Sequence, residues 1–186
     1  MVTLRVLDVD VLECAADAIF LPIDGTLPAA ANTALIDRSL GRIARAFARR
    51  YPDCDLVDEI EAQVTFPVPL GRAALLELPA GASPFRAAAL LSTLAHESER
   101  TGEQALVAAV RGALGDALRV CASLEATSAA TPVLTGGWRL PSATVVTAML
   151  QAAAGWRGAL ELSICLLNDP AASARVRDLA RAFGFG

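Results

Sequence analysis

The sequence contains no lysine; all 16 basic residues are arginine. That excludes Schiff-base chemistry, the lysine of a phosphate-binding loop and a kinase-type lysine. There is one histidine, His96, with no base or nucleophile partner evident for it, and it reads as a surface residue. Aromatic residues make up only 5% of the chain, so a core must be assembled from Ala, Leu and Val rather than rings. Acidic and basic residues are interspersed, with a formal charge of −4 and a pI near 5.0. No basic stripe interleaved with aromatics is present, which argues against nucleic acid as a partner. No stretch of about 18 apolar residues lacks charges, and the N-terminus has neither the basic segment nor the apolar run of a signal peptide. The expectation is a cytoplasmic protein with no membrane partner. Its Arg and Ala usage fits a GC-rich bacterial genome.

Cysteine is sparse and scattered, at positions 14, 54, 121 and 165. No two are spaced as a metal-ligating pair, so no metal site is expected. The even number permits two disulfides, which a domain of this size does not need. Cys165, inside the apolar run Leu160–Leu167, reads as a core residue. Cys54, between Asp53 and Asp55, is expected to be more exposed, with a thiol made a poor nucleophile by its acidic neighbours.

What the chain does have is apolar content. Hydrophobic residues form 54% of it and mean hydropathy is +0.47, enough for a sizeable core in 186 residues, which is one domain's length. Val2–Val9 alternates as a strand does, and Asp17–Pro22 is a short apolar run closed by Pro22 and the turn pair Asp24-Gly25. Asn32–Tyr51 has helical spacing through Leu35, Ile36, Leu40, Ile43 and Phe47, and Leu56–Gln63 reads as a short helix. Two strands are predicted at Arg72–Leu78 and Phe85–Leu91. A helix follows over Gly102–Cys121, capped by Thr101. Ala129–Leu134 is a strand leading into Thr135-Gly136-Gly137. Pro141–Ala154 is a helix with proline at or near its first turn, Leu160–Leu167 a buried strand and Ala171–Phe183 a last helix. Strands alternating with helices predict an α/β fold: a mixed sheet of about six strands between two helical layers. Ligands in such folds sit at the carboxyl ends of the strands, which singles out the loops Ile23–Ala31 and Thr135–Pro141.

The order of these pieces resembles the macro domain family, the ADP-ribose-binding module, from about Leu4 to Leu167. Macro domains have a strand followed by Gly-Asp-Ile and then a Val-Asp-Ala-Ile-Val strand; here Val9-Asp10-Val11 precedes Ala16-Asp17-Ala18-Ile19-Phe20 at the same spacing. The family's Asn-Ala-Ala-Asn corresponds to Leu21-Pro22-Ile23-Asp24. Its glycine triplet corresponds to Ala29, Ala30 and Ala31, and the helix after it reaches Ser39-Leu40-Gly41. A Gly-x-Ala element appears as Gly71-Arg72-Ala73. The second phosphate loop, Ser-Thr-Gly-x-aromatic-Gly-x-Pro, appears as Leu134-Thr135-Gly136-Gly137-Trp138-Arg139-Leu140-Pro141.

The resemblance implies a three-layer α/β/α macro-like domain spanning 1–186. It also implies that Asp10 and Val11 hold an adenine, that Thr135–Trp138 cradle a diphosphate and that Asp24 faces the distal ribose. Independently of any family, glycines ahead of a helix let backbone N–H groups approach an anion, although Thr-Gly-Gly also makes ordinary turns. Trp138 fits either a ribose contact or a lid on Pro141. Arg139 stands where the family has glycine, as a phosphate fork or as a cover for Trp138. The departures, Asp24 for Asn and Ala29–Ala31 for glycines, crowd the pocket and add a negative charge near a diphosphate. The expected function is binding of ADP-ribose or a related nucleotide diphosphate, free or carried on an ADP-ribosylated protein. Hydrolysis is expected to be weak or absent, and no cofactor is expected. A hydrolase using Asp24 as general base and a ligand-free assembly domain are the alternatives.

Overall fold

The computed structural model describes residues 2–26, 39–93, 102–135 and 140–185. Six strands form one sheet: β1 (Val2–Leu7), β2 (Ala18–Ile23), β3 (Ala73–Glu77), β4 (Ala87–Ser92), β5 (Ser128–Pro132) and β6 (Leu160–Cys165). Their order is β1-β6-β5-β2-β4-β3. Every pairing is parallel except that of β3 with β4 at one edge. The mixed α/β sheet expected from the strand–helix alternation is therefore present. The α-helices among the described residues are α1 (Arg42–Arg50), α2 (Leu56–Gln63), α3 (Glu103–Ser123), α4 (Ser142–Gly155) and α5 (Pro170–Ala182). A single 3-10 turn occupies Val11–Glu13.

Strand alternation sorts the core onto two faces. Ala18 and Phe20 of β2, Ala89 and Leu91 of β4, and Leu162 and Ile164 of β6 point to the side covered by α3, α4 and α5. Ile19, Leu21 and Ile23, with Ala88, Leu90 and Leu76, point to the side covered by α1, α2 and the 3-10 turn. Strands buried on both faces show no polar alternation, which is why Ala-Ile-Phe-Leu reads as a plain apolar run. The scarce rings concentrate on the second face, where Phe47 lies 5.0 Å from Tyr51 and 6.2 Å from Phe85 between ring centroids.

The helix expected over Asn32–Tyr51 is interrupted where the structure describes it. Ser39 is helical and its carbonyl accepts the Asp24 N–H at 2.7 Å, Leu40 leaves the helix to bridge Ile23, and helix resumes only after Gly41. Pairing with the end of β2 outweighs the helical spacing at Leu40. Residues 27–38 lie outside the described set, as do Thr101 and His96; Gly102 occupies the cap position of α3. Pro141 stands at the cap position of α4, beside its first turn as expected. Cys54 is 1% exposed, contrary to expectation. Its N–H bonds the Tyr51 carbonyl at 3.0 Å, closing a turn that tucks it against the ring cluster. Burial, followed by Glu59 and Asp55, raises its thiol. All four cysteines are free. Among the described residues, no helix is long and apolar enough to cross a membrane.

The centre of the sheet is tied at one end only. β2 and β5 share the register pairs Ala18↔Ala129 and Ile19↔Ala130. Below them Asp17 acts as a staple: its Oδ2 accepts the Thr127 N–H and hydroxyl, each at 2.7 Å, and the Ser128 N–H at 3.1 Å. Its own N–H donates to Ser128 Oγ at 2.9 Å, and its carbonyl accepts from Arg86 N at 2.9 Å. Beyond the paired residues come Pro22 and Pro132, which have no N–H to extend a ladder, and the two strands separate.

Burial of the Asp17 carboxylate works against its charge, but the Thr127 and Ser128 hydrogen bonds and Arg86 outweigh it and lower its pKa. Asp17→Asn is therefore expected to cost roughly 1.5–3 kcal/mol in denaturant melts, the range for hydrogen bonds to a charged group. The wild-type advantage should be complete above the ordinary carboxylate pKa of about 3.9. It should disappear as pH falls through the lowered folded value. An advantage unchanged down to strongly acid pH would show that the charge of Asp17 is not what matters.

Candidate functional site

Where β2 and β5 part, a cleft of about 990 Å³ opens at the carboxyl ends of the strands. This is the switch point of the sheet: the chain leaves β2 toward β4 and β3 and leaves β5 toward β6, the position at which open α/β sheets accommodate ligands. Pro22 and Pro132, which lie beyond the last register pair Ile19↔Ala130, line it. One wall is the 3-10 turn with Asp10, Val11 and Leu12, another the segment Leu166–Asp169 and the first turns of α5. The third is α1, through Arg42, Ile43, Ala46 and Arg49.

Two helices begin at this cleft without a side-chain cap. α1 starts after Gly41 and α4 after Pro141, and neither cap position supplies a side-chain acceptor. Gly41 and Arg42 line the cleft at one start, and Ser142 and Ala143 at the other. The first N–H groups of a helix have no internal partner and carry partial positive charge, so each start favours an anion. α5 also begins here, but Asp169 fills its cap by accepting the Ala172 N–H at 2.8 Å.

Side-chain charge points the same way. Asp10 Oδ1 caps the 3-10 turn by accepting the Leu12 N–H at 3.0 Å. Asp178 pairs with Arg181 at 2.8 Å, and Glu13 beside the cleft pairs with Arg50 at 2.8 Å. Each of these carboxylates is occupied within its own surroundings. Arg49 and Arg175, on facing walls, have no ion pair among the described residues. In a protein of net charge −4, this local arrangement attracts anions. Apolar surface is also offered, since Leu167, 58% exposed, is one of two large apolar side chains left open among the described residues.

The expected site residues are brought together only in part. Asp10, Val11 and Thr135 line the cleft, Asp10 and Thr135 half-buried and Val11 buried. Thr135 accepts the Leu140 N–H through its carbonyl at 3.3 Å, closing the loop before α4. Asp24 does not line the cleft. It is fully buried, and its Oδ1 takes the Thr26 N–H at 3.1 Å and the Thr26 hydroxyl at 2.6 Å. Ala29, Ala30, Ala31, Gly136, Gly137, Trp138 and Arg139 lie outside the described residues.

Several lining residues had no part in the sequence expectation: Arg42, Arg49 and Arg175, the Leu166–Asp169 segment, and Cys165 at the end of β6. The loop after β6 was open to the same carboxyl-end rule that singled out the other two. The arginines had no local signal, because a surface arginine on an amphipathic helix reads as solvated.

Cys165, at the end of β6, donates its thiol to the Ser163 carbonyl at 3.9 Å, and Cys14 ends the 3-10 turn. The influence of Cys165, with the Ser163 hydroxyl and the charge of Arg5, holds the Cys14 thiol below its ordinary range, against burial and Glu161. Cys14, with burial, raises Cys165. Among the described residues no three His, Cys, Asp or Glu side chains gather as a metal site.

No family model and no curated protein matches the sequence. Solved structures do match the fold. The macrodomain of Thermus aquaticus DarG is 20% identical, with 89% of this chain and 99% of that one covered at a TM-score of 0.63. The macrodomain of Mycobacterium tuberculosis DarG is 18% identical, with 87% and 96% covered at 0.62. The Oceanobacillus iheyensis macrodomain solved with ADP is 11% identical, with 97% and 90% covered at 0.63. With its six-stranded mixed sheet and its cleft at the β2–β5 switch point, the chain has the macrodomain fold.

Proposed function

We propose that the protein binds ADP-ribose, or a related nucleoside diphosphate, in the cleft between β2 and β5. The observation that carries this reading is the pair of uncapped helix starts, α1 and α4, opening on one cavity whose nearby carboxylates are already engaged. A diphosphate presents two linked anionic groups to two such ends. The cleft has a volume of about 990 Å³, at the upper end of the usual range for small-molecule sites. The fold is shared with a macrodomain solved with ADP.

In this reading the base lies against Asp10 and Val11 with Leu167 as its apolar cover, and the diphosphate lies over Thr135 and the start of α4. The same reading assigns Gly136, Gly137, Trp138 and Arg139 to the diphosphate and Ala29–Ala31 to the distal ribose. Asp24 is the weak member of the proposed set. A fully buried carboxylate engaged by Thr26 is badly disposed to activate water, so a hydrolase working through it finds no support in its placement. The ligand is ADP-ribose free in solution or attached to a protein.

ADP-ribose at 100 times its dissociation constant should stabilise the protein by about 2.7 kcal/mol, raising Tm by roughly 5–10 °C for a chain of this size. Asp10→Ala should reduce that shift. An absence of any shift with ADP-ribose, ADP or AMP at millimolar concentration would favour the ligand-free assembly reading.

Charge in the walls is tested separately. Arg175→Gln should weaken ADP-ribose by up to about fivefold, the scale of an exposed charge contact, and flatten the dependence of affinity on salt. Equal salt slopes in calorimetry for wild type and variant would remove Arg175 from the site.

The phosphate loop is tested by fluorescence. ADP-ribose should change the emission of wild type and of Trp156→Phe, and leave Trp138→Phe silent. A retained response in Trp138→Phe would move the ligand away from that loop. In the same preparations, release of ADP-ribose from a mono-ADP-ribosylated carboxylate should stay at background. Turnover abolished by Asp24→Ala would establish the hydrolase instead.

A further inference from the structure

Positive charge meets the cleft at two levels. The first is the uncapped starts of α1 and α4, with Arg42 on the first turn of α1. The second begins with Arg49, which follows Arg42 by two helical turns and lines the cleft from the same stripe of α1. The helical rise sets the two levels ~10 Å apart along the axis. The end of α1 is held beside the 3-10 turn that Asp10 caps, since the Tyr51 hydroxyl donates to the Leu12 carbonyl and Arg50 pairs with Glu13 at 2.8 Å. α5 is anchored to the strand end before that turn, where the Asp169 N–H donates to Asp8 Oδ1 at 3.0 Å. From α5, Arg175 lines the cleft between Ala172 and Val176. Arg49 and Arg175 therefore come to the Asp10 end from two different walls. Neither guanidinium has an ion pair or hydrogen bond among the described residues. The acids around them are engaged elsewhere: Glu13 and Asp178 with arginines, Asp10 and Asp169 as caps.

We propose that the Asp10 end of the cleft takes a second anionic group, a phosphate monoester on the adenosine ribose, held by Arg49 and Arg175. The ligand class is then an ADP-ribose phosphorylated on its adenosine side. This rests on the nucleotide reading, in which the base lies against Asp10 and Val11 and the diphosphate lies at the start of α4.

In that pose the 5′ oxygen of the adenosine ribose leads to the diphosphate, which leaves its 2′ and 3′ oxygens open to substitution. A diphosphate seated at the helix starts does not also span the two turns of α1 to Arg49, so the second level of charge suits a separate anion. A phosphate monoester carries a charge of about −1.5 to −2 at neutral pH. A planar guanidinium holds two phosphate oxygens at once, which a bare ribose hydroxyl cannot match. Dinucleotide-binding α/β sheets admit a 2′-phosphate by the same means, an arginine near the adenosine ribose.

The test is calorimetric titration of the full-length protein with ADP-ribose, 2′-phospho-ADP-ribose, AMP, and the 2′,5′- and 3′,5′-bisphosphates of adenosine. At least one bisphosphate should bind roughly tenfold more tightly than AMP, the scale of two exposed charge contacts. The isomer that does so identifies the hydroxyl that bears the phosphate. Where it is the 2′ isomer, 2′-phospho-ADP-ribose should show the same gain over ADP-ribose. With Arg49→Gln and Arg175→Gln combined, the ratio of phosphorylated to parent ligand should fall to about one. The wild-type ratios decide the question even where the double variant fails to fold. If ADP-ribose binds and no phosphorylated ligand gains over its parent, the proposal fails alone and the nucleotide reading stands. A gain that survives in the double variant also overturns it, because the added phosphate then lies away from both arginines. If none of these ligands binds, the nucleotide reading fails and the proposal with it.

Discussion

The cleft of this fold depends on β2 and β5 being joined at one end and free at the other. The Asp17 carboxylate gathers the starts of β2 and β5 through three hydrogen bonds, and the backbone ladder adds two register pairs. Pro22 and Pro132 then withhold the N–H groups that further pairing would use. The gap that follows lies at the point where the chain's connections diverge to opposite halves of the sheet. A fully paired centre would fill this space with backbone. The one-sided junction leaves a cavity at the strand ends without weakening the core, because both strands remain packed by helices on each face.

Charge then gives the cavity its electrostatic character. The molecule as a whole is acidic, so long-range attraction of anions is not its general property. Locally, capping and pairing have consumed the acids: Asp10 and Asp169 at helix starts, Glu13 and Asp178 in ion pairs. The uncapped starts of α1 and α4 and the guanidinium groups of Arg49 and Arg175 are left facing the cleft. The absence of lysine fits this economy, since planar guanidinium and fixed backbone N–H groups hold phosphate oxygens in defined directions.

Elements whose local signals agreed with their tertiary setting were legible in the sequence. Leu56–Gln63 is the helix expected, begun by Asp55, which accepts the Asp58 N–H at 3.2 Å. β2 and β6 were visible as apolar runs because both of their faces are covered. The α4 boundary was visible because Pro141 stops an extended segment before a long apolar helix. Long-range contacts account for the failures. Leu40 sits in a helical pattern but is claimed by Ile23 from another part of the chain. Cys54 has acidic neighbours in sequence and a ring cluster as neighbours in space. Of the site, Asp10, Val11 and Thr135 were legible through motif spacing. Arg49, Arg175 and Cys165 were not, because what distinguishes them is the cavity, and the cavity exists only once β2 and β5 are side by side.

Nucleotide occupancy of this cleft can be read by methyl NMR of the Leu- and Val-labelled protein titrated with ADP-ribose. The methyl groups of Val11, Leu12, Val146, Leu166 and Val176, all lining the cleft, should shift together along one saturable curve. Val107, in the shallow surface depression beside α3, and Leu56, in the core under α2, should stay unmoved. Shifts centred on Val107, or spread evenly over the core with the cleft methyl groups silent, would contradict the account.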